Sequence, residues 1–255
     1  TSYKVHWMEQ ELDIAVLLTA DIIVYASGAC MQSNLKAGND LIYNLNITVP
    51  VRICNALKAA GYQGKFITFG SVFEMGETTE ERFFTEEDIQ TSLAVAPNDY
   101  TVSKRMLTRF TSSYKHEFTH WHFIIPTIYG ESENPKRLIP YTINAIKNEE
   151  ELHFTAGDQT RQYIHVSEVP RMIDIAYKKN IPSGIYNIQG KETITVKEIV
   201  TLIHKVLGKK VAEGCFGSAQ RADVGMKYLA LDGRKLKSLT GFEATVRLEE
   251  VIKHY

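Results

Sequence analysis

The sequence predicts an α/β fold built on a parallel sheet. Short apolar runs with strand character alternate along the chain with longer amphipathic runs of helical periodicity. This alternation is typical of parallel strands joined by crossover helices. We predict, in chain order, a strand at 22–25, a helix at 49–60, a strand at 66–69, a helix at 98–114 and a strand at 121–126.

The second half of the chain has a more mixed pattern. It predicts a helix at 138–148, a strand at 163–166 and helices at 167–178 and 196–207. Thr195 and Glu198 form a capping-box pattern, which predicts the start of the last of these helices. A long polar segment, 77–97, lies in the first half, and connections of that length are usually functional.

The composition excludes several classes of protein. The 255 residues include 29 Lys and Arg against 30 Asp and Glu, so the formal net charge is −1 and offers no basic field for nucleic acid. No run approaches the roughly 20 apolar residues of a membrane span. The three cysteines, Cys30, Cys54 and Cys215, have neither an even count nor a metal-ligand spacing. We expect a cytoplasmic protein with no nucleic-acid partner, no membrane partner and no metal site.

Tyr100 and Lys104 form a candidate acid/base pair. They are four residues apart in a predicted helix, so they share one helix face. A lysine cation beside a phenol favours the phenolate, which lets the phenol exchange a proton with an alcohol or a carbonyl. The same spacing also occurs by chance, with the tyrosine in the core and the lysine in solvent.

Ser71 follows the predicted strand at 66–69, at the sheet edge where open α/β folds carry their chemistry. Its hydroxyl could hydrogen-bond the substrate oxygen that Tyr100 protonates. A serine that caps a turn is the commoner interpretation of this position. The order and spacing of Ser71, Tyr100 and Lys104 favour a catalytic set.

Six blocks in order make the chain resemble the extended branch of the short-chain dehydrogenase/reductase superfamily, which contains nucleotide-sugar epimerases, dehydratases and reductases. The blocks are DIIVYASG at 21–28, SVFEMG at 71–76, the YxxxK motif at 100–104, IPTIYG at 125–130, GDQTRQYIHV at 157–166 and GIYNI at 184–188.

The resemblance implies a Rossmann-like doubly wound parallel sheet with a smaller α/β substrate-binding domain. The partial dinucleotide-binding domain would span 1–130 and the mainly substrate-binding domain 131–255, with 162–179 returning to the Rossmann-like sheet. The family's opening strand and GxxGxxG turn, which receives the pyrophosphate, have no counterpart here. We therefore expect the first βαβ unit to be absent. The resemblance implies NAD or NADP as the cofactor. The sequence does not predict which of the two, because the acidic or basic residue that would select between them belongs to the absent unit.

The resemblance also assigns roles to particular residues. Ser71, Tyr100 and Lys104 would be catalytic. The residues implied to bind the dinucleotide are Ala26, Ser27, Gly28, Asn46, Phe69, Tyr100, Lys104, Pro126, Thr127 and Ile128. Those implied to bind the nucleotide sugar are Ser71, Val72, Phe73, Thr127, Arg161 and Arg221. An arginine fork suits a diphosphate, and a surface salt bridge is the other interpretation of both arginines.

Departures from the family pattern narrow the predicted reaction. Ser71-Val72-Phe73 stands where the 4,6-dehydratases carry Thr-Asp-Glu, so the acid and base for water elimination are missing. Thr127 and Ile124 replace an asparagine and an arginine among the family's phosphate contacts. We expect reduction of a 4-keto-6-deoxy sugar nucleotide by hydride transfer at C4.

Three alternatives stay open: a nucleotide-sugar C4 epimerase, a reductase of small carbonyls, and a dinucleotide-binding protein without turnover. The resemblance further implies a homodimer formed through the helix that bears Tyr100 and the helix after Asn46.

Overall fold

The computed structural model describes residues 13–29, 39–219 and 225–255. Its strands are β1 (Ile22–Val24), β2 (Lys65–Ser71), β3 (Thr119–Ile125), β4 (Thr127–Tyr129), β5 (Thr160–His165), β6 (Gly184–Asn187), β7 (Glu192–Thr195) and β8 (Tyr228–Leu229). Its helices are α1 (Ile14–Leu17), α2 (Asn39–Tyr43), α3 (Val49–Ala59), α4 (Glu86–Thr91), α5 (Asp99–Ser113), α6 (Leu138–Asn148), α7 (Glu168–Lys179), α8 (Val196–Val206), α9 (Arg234–Thr240) and α10 (Leu248–Ile252).

The first sheet has the strand order β1-β2-β3-β6, and every neighbouring pair is parallel. Its central strands carry large apolar side chains, as expected where helices cover both faces of such a sheet. Ile67, Trp121 and Phe123 from β2 and β3 pack with Met172 and Ala176 of α7 in one buried cluster. The α/β class predicted from the alternating pattern is therefore confirmed.

A second sheet joins β4, β5 and β7, and β8 pairs with β5. The β4–β5 pair is parallel and the β5–β7 pair antiparallel. The chain passes from the first sheet to the second at Pro126, which has no N–H to continue a strand ladder. Residues 162–179, expected to return to the first sheet, divide between the two: β5 pairs in the second sheet, while α7 packs on the first. The domain boundaries at 130 and 131 stay a prediction.

The ends of several helices follow from their side-chain caps. Thr195 and Glu198 form the expected capping box at the start of α8. Asn98 caps α5 by accepting a hydrogen bond from the N–H of Thr101 at 3.0 Å.

The polar segment 77–97 contains the short helix α4, which the sequence analysis did not predict. The Glu86 carboxylate in this helix is 8% exposed and accepts a hydrogen bond from the N–H of Asn187 at 2.9 Å. The Asn187 side chain donates in turn to the carbonyl of Phe84 at 2.9 Å. These bonds fix the segment on the edge strand β6.

No helix in the described ranges combines the length and the apolar character needed to cross a membrane.

One buried carboxylate holds the carboxyl-terminal segment against α7. Glu168 Oε1 accepts hydrogen bonds from the N–H groups of Thr245 and Val246 at 2.6 and 2.8 Å. Its Oε2 accepts from Arg171 Nε at 2.6 Å. Burial raises the pKa of Glu168, but these hydrogen bonds outweigh that effect and the pKa is lowered overall.

We expect Glu168→Ala to lower the free energy of unfolding at pH 7 by about 2 kcal/mol, because it removes a buried carboxylate that accepts two part-buried main-chain N–H groups. The contribution of a carboxylate with a lowered pKa is present above its ordinary pKa and is lost as the pH falls through its folded value. The difference between Glu168→Gln and the unchanged protein should therefore shrink in acid. Urea unfolding at several pH values measures both effects.

Asp174→Ala is the matched control, since Asp174 lies on the same helix in an exposed pair with Lys178. Its effect should stay within about 0.5 kcal/mol. Equal losses for Glu168→Ala and Asp174→Ala would contradict the role given to Glu168.

Candidate active site

Ser71 ends β2 and begins a single 3₁₀ turn, Val72–Met75. Its Oγ accepts a hydrogen bond from the N–H of Phe73 at 3.3 Å, and its own N–H donates to Glu74 Oε1 at 2.7 Å. The capping interpretation of Ser71 is thus confirmed. This cap does not use the full hydrogen-bonding capacity of the Ser71 hydroxyl, which can accept one hydrogen bond and still donate its proton to another group. The substrate role of Ser71 stays a prediction.

Lys104 points from α5 to the carboxyl end of β2. Its Nζ donates to the carbonyl of Phe69 at 3.0 Å and lies 5.9 Å from the ring centroid of Tyr100. The residue is only 9% exposed, so the alternative of a solvated lysine is wrong. The helix therefore presents Tyr100 and a buried cation beside the strand that ends in Ser71.

Arg105, which the sequence analysis did not single out, fixes α5 in this position. Its guanidinium donates to the carbonyls of Glu74, Ala94 and Met75 at 2.6, 2.7 and 3.0 Å. Gly76 makes room for it: a Cβ there would lie 2.3 Å from Arg105 Nη2, and its φ of +75° also favours glycine. The feature of the sequence that could have indicated this contact is Gly76, the glycine that closes the turn after Ser71.

Asn46 holds the turn that follows β1. It lies in a π-helical turn, Asn44–Thr48, between α2 and α3, and is 1% exposed. Its side-chain amide donates to the carbonyl of Ala29 at 2.9 Å and accepts from the N–H of Ala29 at 3.1 Å. It also donates to Ser103 Oγ at 2.9 Å, which ties this turn to α5. π-helical turns are frequent at functional sites.

The exposed run Ala26, Ser27 and Gly28 therefore lies next to α5, the helix that carries Tyr100 and Lys104. A Cβ on Gly28 would stand 3.2 Å from Asn46 Oδ1 and 3.8 Å from Lys104 Nζ. Glycine keeps the space above Lys104 open at this point.

The switch between the two sheets borders the same edge. Ile125, the last residue of β3, pairs with Ser71, and Pro126, Thr127 and Ile128 follow. Thr127 Oγ1 is shielded from solvent and has no hydrogen-bond partner among the described residues. A buried hydroxyl without a partner is costly unless a ligand satisfies it.

The two substrate candidates in the turn after Ser71 have different environments. The Val72 side chain is fully buried among core residues, and its substrate role stays a prediction. The Phe73 ring is partly exposed and meets the Tyr100 ring edge-on, with centroids 6.5 Å apart.

Arg161 brings the second sheet to this place. It is 7% exposed, its Nη1 donates to the carbonyl of Thr160 at 2.8 Å, and its Cζ lies 6.0 Å from the Phe73 ring centroid. Because Arg161 is buried, the alternative interpretation of this residue as part of a surface salt bridge is wrong. Arg221 lies outside the described residues.

A buried chain of polar groups runs beneath the turn at Ser71. Thr68 Oγ1 lies 2.7 Å from His122 Nδ1 and 2.9 Å from His120 Nε2, and Thr108 Oγ1 lies 2.9 Å from His122 Nε2. The sequence did not lead us to predict this network. The signal was that His120 and His122, two residues apart in a buried strand, lie on the same face of the sheet.

Glu74 is the carboxylate at the upper end of this chain. Burial raises its pKa to about 7, against the opposing effects of the Thr108 hydroxyl, the Ser71 N–H and the cations Lys104 and Arg105. Its side chain points into the protein interior, with the residue fully buried.

The structure also brings together Cys54, His116 and His120 at the other end of the network. One ligand atom from each lies within 4.8 Å of the others. The expectation of no metal site overlooked the spacing of His116 and His120, which are four residues apart.

Comparison with known proteins supports the fold. The model of the NAD dependent epimerase/dehydratase family matches residues 4–188. Among solved structures, UDP-glucuronic acid 4-epimerase from Bacillus cereus, in complex with UDP-glucuronic acid and NAD, has a TM-score of 0.80 at 20% identity, covering 95% of this chain and 76% of that one. The dTDP-glucose 4,6-dehydratase DesIV from Streptomyces venezuelae has a TM-score of 0.78 at 18% identity, with the same coverage. The Rossmann-like fold expected from the motifs is confirmed.

Two curated relatives are similar in sequence. UDP-glucuronate 4-epimerase of Thermodesulfobacterium geofontis is 24% identical over 237 residues, which cover 91% of this chain and 70% of that protein. CDP-abequose synthase of Salmonella muenchen is 30% identical over 112 residues, which cover 42% of this chain and 38% of that protein. The second match thus spans less than half of the relative's length.

The pKa of Glu74 gives the stability of the protein a specific pH dependence. A buried carboxyl with a pKa near 7 keeps its proton in the folded state from pH 4.5 to 7, whereas the unfolded chain releases it, so stability falls across this window as the pH rises. Glu74→Gln removes this effect. We expect the stability of the variant, measured relative to the unchanged protein by urea unfolding, to increase from pH 5 to pH 8.

Glu77→Gln is the control, because Glu77 lies in the adjoining segment and is exposed. Its stability relative to the unchanged protein, measured at the same two pH values, gives the reference for a substitution at the surface. A constant difference for Glu74→Gln would show that Glu74 ionises normally.

Proposed function

Because the chain belongs to the NAD dependent epimerase/dehydratase family, we propose that it acts with NAD or NADP to reduce a 4-keto-6-deoxy sugar nucleotide at C4. Family membership confirms the resemblance found in the sequence. The observation that carries the proposal is the buried Lys104 ammonium, bonded to the carbonyl of Phe69 and facing Tyr100 at the carboxyl end of β2. A phenol beside a fixed cation is a suitable proton donor to a carbonyl oxygen.

Features of the described residues fit a nicotinamide dinucleotide. Gly28 leaves free space over Lys104, and Thr127 Oγ1 offers a shielded hydroxyl without a partner. Ala26, Ser27, Gly28, Pro126, Thr127 and Ile128 would flank the dinucleotide, and Asn46 would hold the first of these turns in place. When bound, the reduced dinucleotide supplies the hydride.

The chain's own residues would manage the proton and the oxygen. Tyr100 donates its phenolic proton to the sugar O4 as that oxygen becomes an alcohol. The Ser71 hydroxyl donates a hydrogen bond to the same oxygen and so orients the carbonyl. The charge of Lys104 stabilises the phenolate that remains on Tyr100.

Arg161 supports a nucleotide sugar as the substrate. Its guanidinium is held by the carbonyl of Thr160 and lies over the Phe73 ring, which in turn contacts the Tyr100 ring. A cation that borders the Phe73 ring, itself in contact with the proposed acid, fits a substrate that carries a diphosphate beside the reacting sugar. A small carbonyl compound would need no such cation.

The turn after Ser71 favours reduction over water elimination. The nearest carboxylate, Glu74, is fully buried and bonded to the Ser71 N–H, so it cannot serve as the base for elimination. C4 epimerisation is a second candidate, supported by the similarity to UDP-glucuronate 4-epimerase over 91% of the chain. The predicted homodimer and cytoplasmic location stay predictions.

The first test is Tyr100→Phe in the complete protein, assayed with a 4-keto-6-deoxy sugar nucleotide and reduced cofactor. Reduction consumes one cofactor per product, whereas an epimerase interconverts UDP-hexuronates without net consumption. We expect stoichiometric consumption by the unchanged protein and a fall in kcat of about 10² to 10⁴ in the variant, because the proton donor is removed.

Tyr141→Phe, at a tyrosine that is 39% exposed, should retain full activity. If the Tyr100→Phe variant kept normal turnover, the acid role would be wrong. If the unchanged protein turned over neither type of substrate, the alternative of a non-catalytic binder would be supported.

The second test addresses the substrate class. Arg161→Ala should raise KM for the sugar nucleotide about tenfold or more, since a charge-assisted contact to a diphosphate is lost, and should change the KM of a small carbonyl compound little. Arg234→Ala is the control, because the Arg234 side chain is 85% exposed. Unchanged kinetics in Arg161→Ala would count against a nucleotide sugar.

A further inference from the structure

A second group of ligating side chains lies at the opposite, amino-terminal edge of the first sheet. Cys54 comes from α3, His116 from the segment before β3 and His120 from the start of β3. We propose that these three residues bind a divalent transition-metal ion of the zinc class. This site is separate from the proposed catalytic edge: His120 pairs with Phe66, and Ser71 lies five residues further along β2, about 17 Å away.

The three ligand atoms are already close together, within 4.8 Å of one another. A tetrahedral zinc site has bonds of about 2.0 to 2.3 Å, which place its ligand atoms about 3.3 to 3.6 Å apart. A contraction of at most about 1.5 Å would therefore close the site around an ion, which is within the reach of side-chain rotations. Two imidazoles and a thiolate suit Zn²⁺ and similar ions, whereas Mg²⁺ and Ca²⁺ prefer oxygen ligands.

His120 presents a nitrogen that nothing else satisfies. The residue is 3% exposed, and its Nδ1 has no hydrogen-bond partner among the described residues. The other ring nitrogen, Nε2, lies 2.9 Å from Thr68 Oγ1. If Nε2 carries the proton and donates it to Thr68, the lone pair of Nδ1 is free for a metal ion.

The buried polar chain is compatible with this tautomer. The Thr68 hydroxyl, having accepted from His120, can donate to His122 Nδ1 at 2.7 Å. His122 Nε2 then carries a proton and donates to Thr108 Oγ1 at 2.9 Å. In this arrangement each group donates to the next one along the chain, in the direction away from His120. Outer hydrogen bonds of this kind commonly orient histidine ligands.

His116 has its tautomer fixed by the main chain. Its Nδ1 lies 2.8 Å from the carbonyl of Phe118, which can only accept, so Nδ1 carries the proton and Nε2 keeps a lone pair. Its ring also stacks on the Phe118 ring, with centroids 4.0 Å apart. Burial lowers the pKa of His116 and brings that of His120 to about 3, so both rings are neutral at pH 7.

Cys54 supplies the soft ligand. It is a free cysteine with no exposed surface. Burial raises the pKa of its thiol to about 12, opposed by the charge of Lys58, so an ion would bind with release of the thiol proton. Lys58 itself is held at the rim by the carbonyl of Lys115, 2.9 Å away.

A cavity of about 540 Å³ gives access to the two histidines of the site. His116 and His120 line it together with Thr111, Lys115 and Ser183. Three protein ligands leave the fourth position of a tetrahedral ion to water, and the cavity provides room for that water beside the two histidines.

The test is titration of the complete, chelator-treated protein with Co²⁺, which reports a thiolate ligand through a sulfur-to-cobalt charge-transfer band in the near ultraviolet. We expect one equivalent to bind, the band to appear, and Zn²⁺ to displace Co²⁺. Cys54→Ala should lose the band, whereas Cys30→Ala and Cys215→Ala should retain it. His116→Gln should weaken Co²⁺ binding at least tenfold, and His153→Gln, at an exposed histidine, should not.

No band in the unchanged protein, or a band that survives Cys54→Ala, would overturn the proposal. Circular dichroism checks that each variant is folded. If Cys54→Ala does not fold, His116→Gln decides, because His116 lies at the edge of the cavity; unchanged Co²⁺ affinity in that variant would also overturn the site. None of these measurements depends on turnover.

Discussion

Two neighbouring cations of α5 hold this helix on the carboxyl end of β2, and the candidate active site depends on that contact. Lys104 and Arg105 are matched to main-chain carbonyls, at Phe69 for the first and at Glu74, Met75 and Ala94 for the second. A cation taken out of water requires such partners, since burial without them costs several kcal/mol. The carbonyls of Phe69, Glu74 and Met75 belong to the strand end and the turn that carry Ser71, whereas that of Ala94 comes from the segment 77–97. Tyr100 is therefore positioned by bonds made on either side of Ser71, and not by its own packing alone.

The interior of the first sheet is unusually polar between this edge and the opposite one. Thr68, His120, His122 and Thr108 are all 3% exposed or less, yet their side chains hydrogen-bond one another. Buried polar groups are tolerated when each has a partner, and two atoms of this region, His120 Nδ1 and Glu74 Oε2, have none among the described residues. Glu74 lies beside the upper part of this chain, and the free Nδ1 of His120 is its lower end. The network accounts for the presence of two histidines on one central strand.

Local patterns in the sequence were sufficient to predict features that depend only on residues near one another in the chain. The shared face of Tyr100 and Lys104 follows from helix geometry, and the start of α8 follows from Thr195 and Glu198. Contacts between distant segments could not be predicted in this way. The carbonyls around Arg105 come from two separate segments, and the approach of Cys54 to His120 depends on how α3 packs against β3. The pairing of β5 with β4 was missed because a chain that changes sheets at one proline carries no periodic signal.

For the proposed reaction, the direction in which the Glu74 side chain points matters as much as the position of Glu74 in the sequence. A carboxylate so soon after Ser71 resembles an acid or base for water elimination. In a capping box, however, the side chain at the third position folds back to the N–H of the capping residue, and Glu74 Oε1 meets the Ser71 N–H at 2.7 Å. That bond turns the carboxylate into the core, beneath the strand end. A side chain of this turn that does meet Tyr100 is the Phe73 ring, which offers no base to remove a proton from carbon.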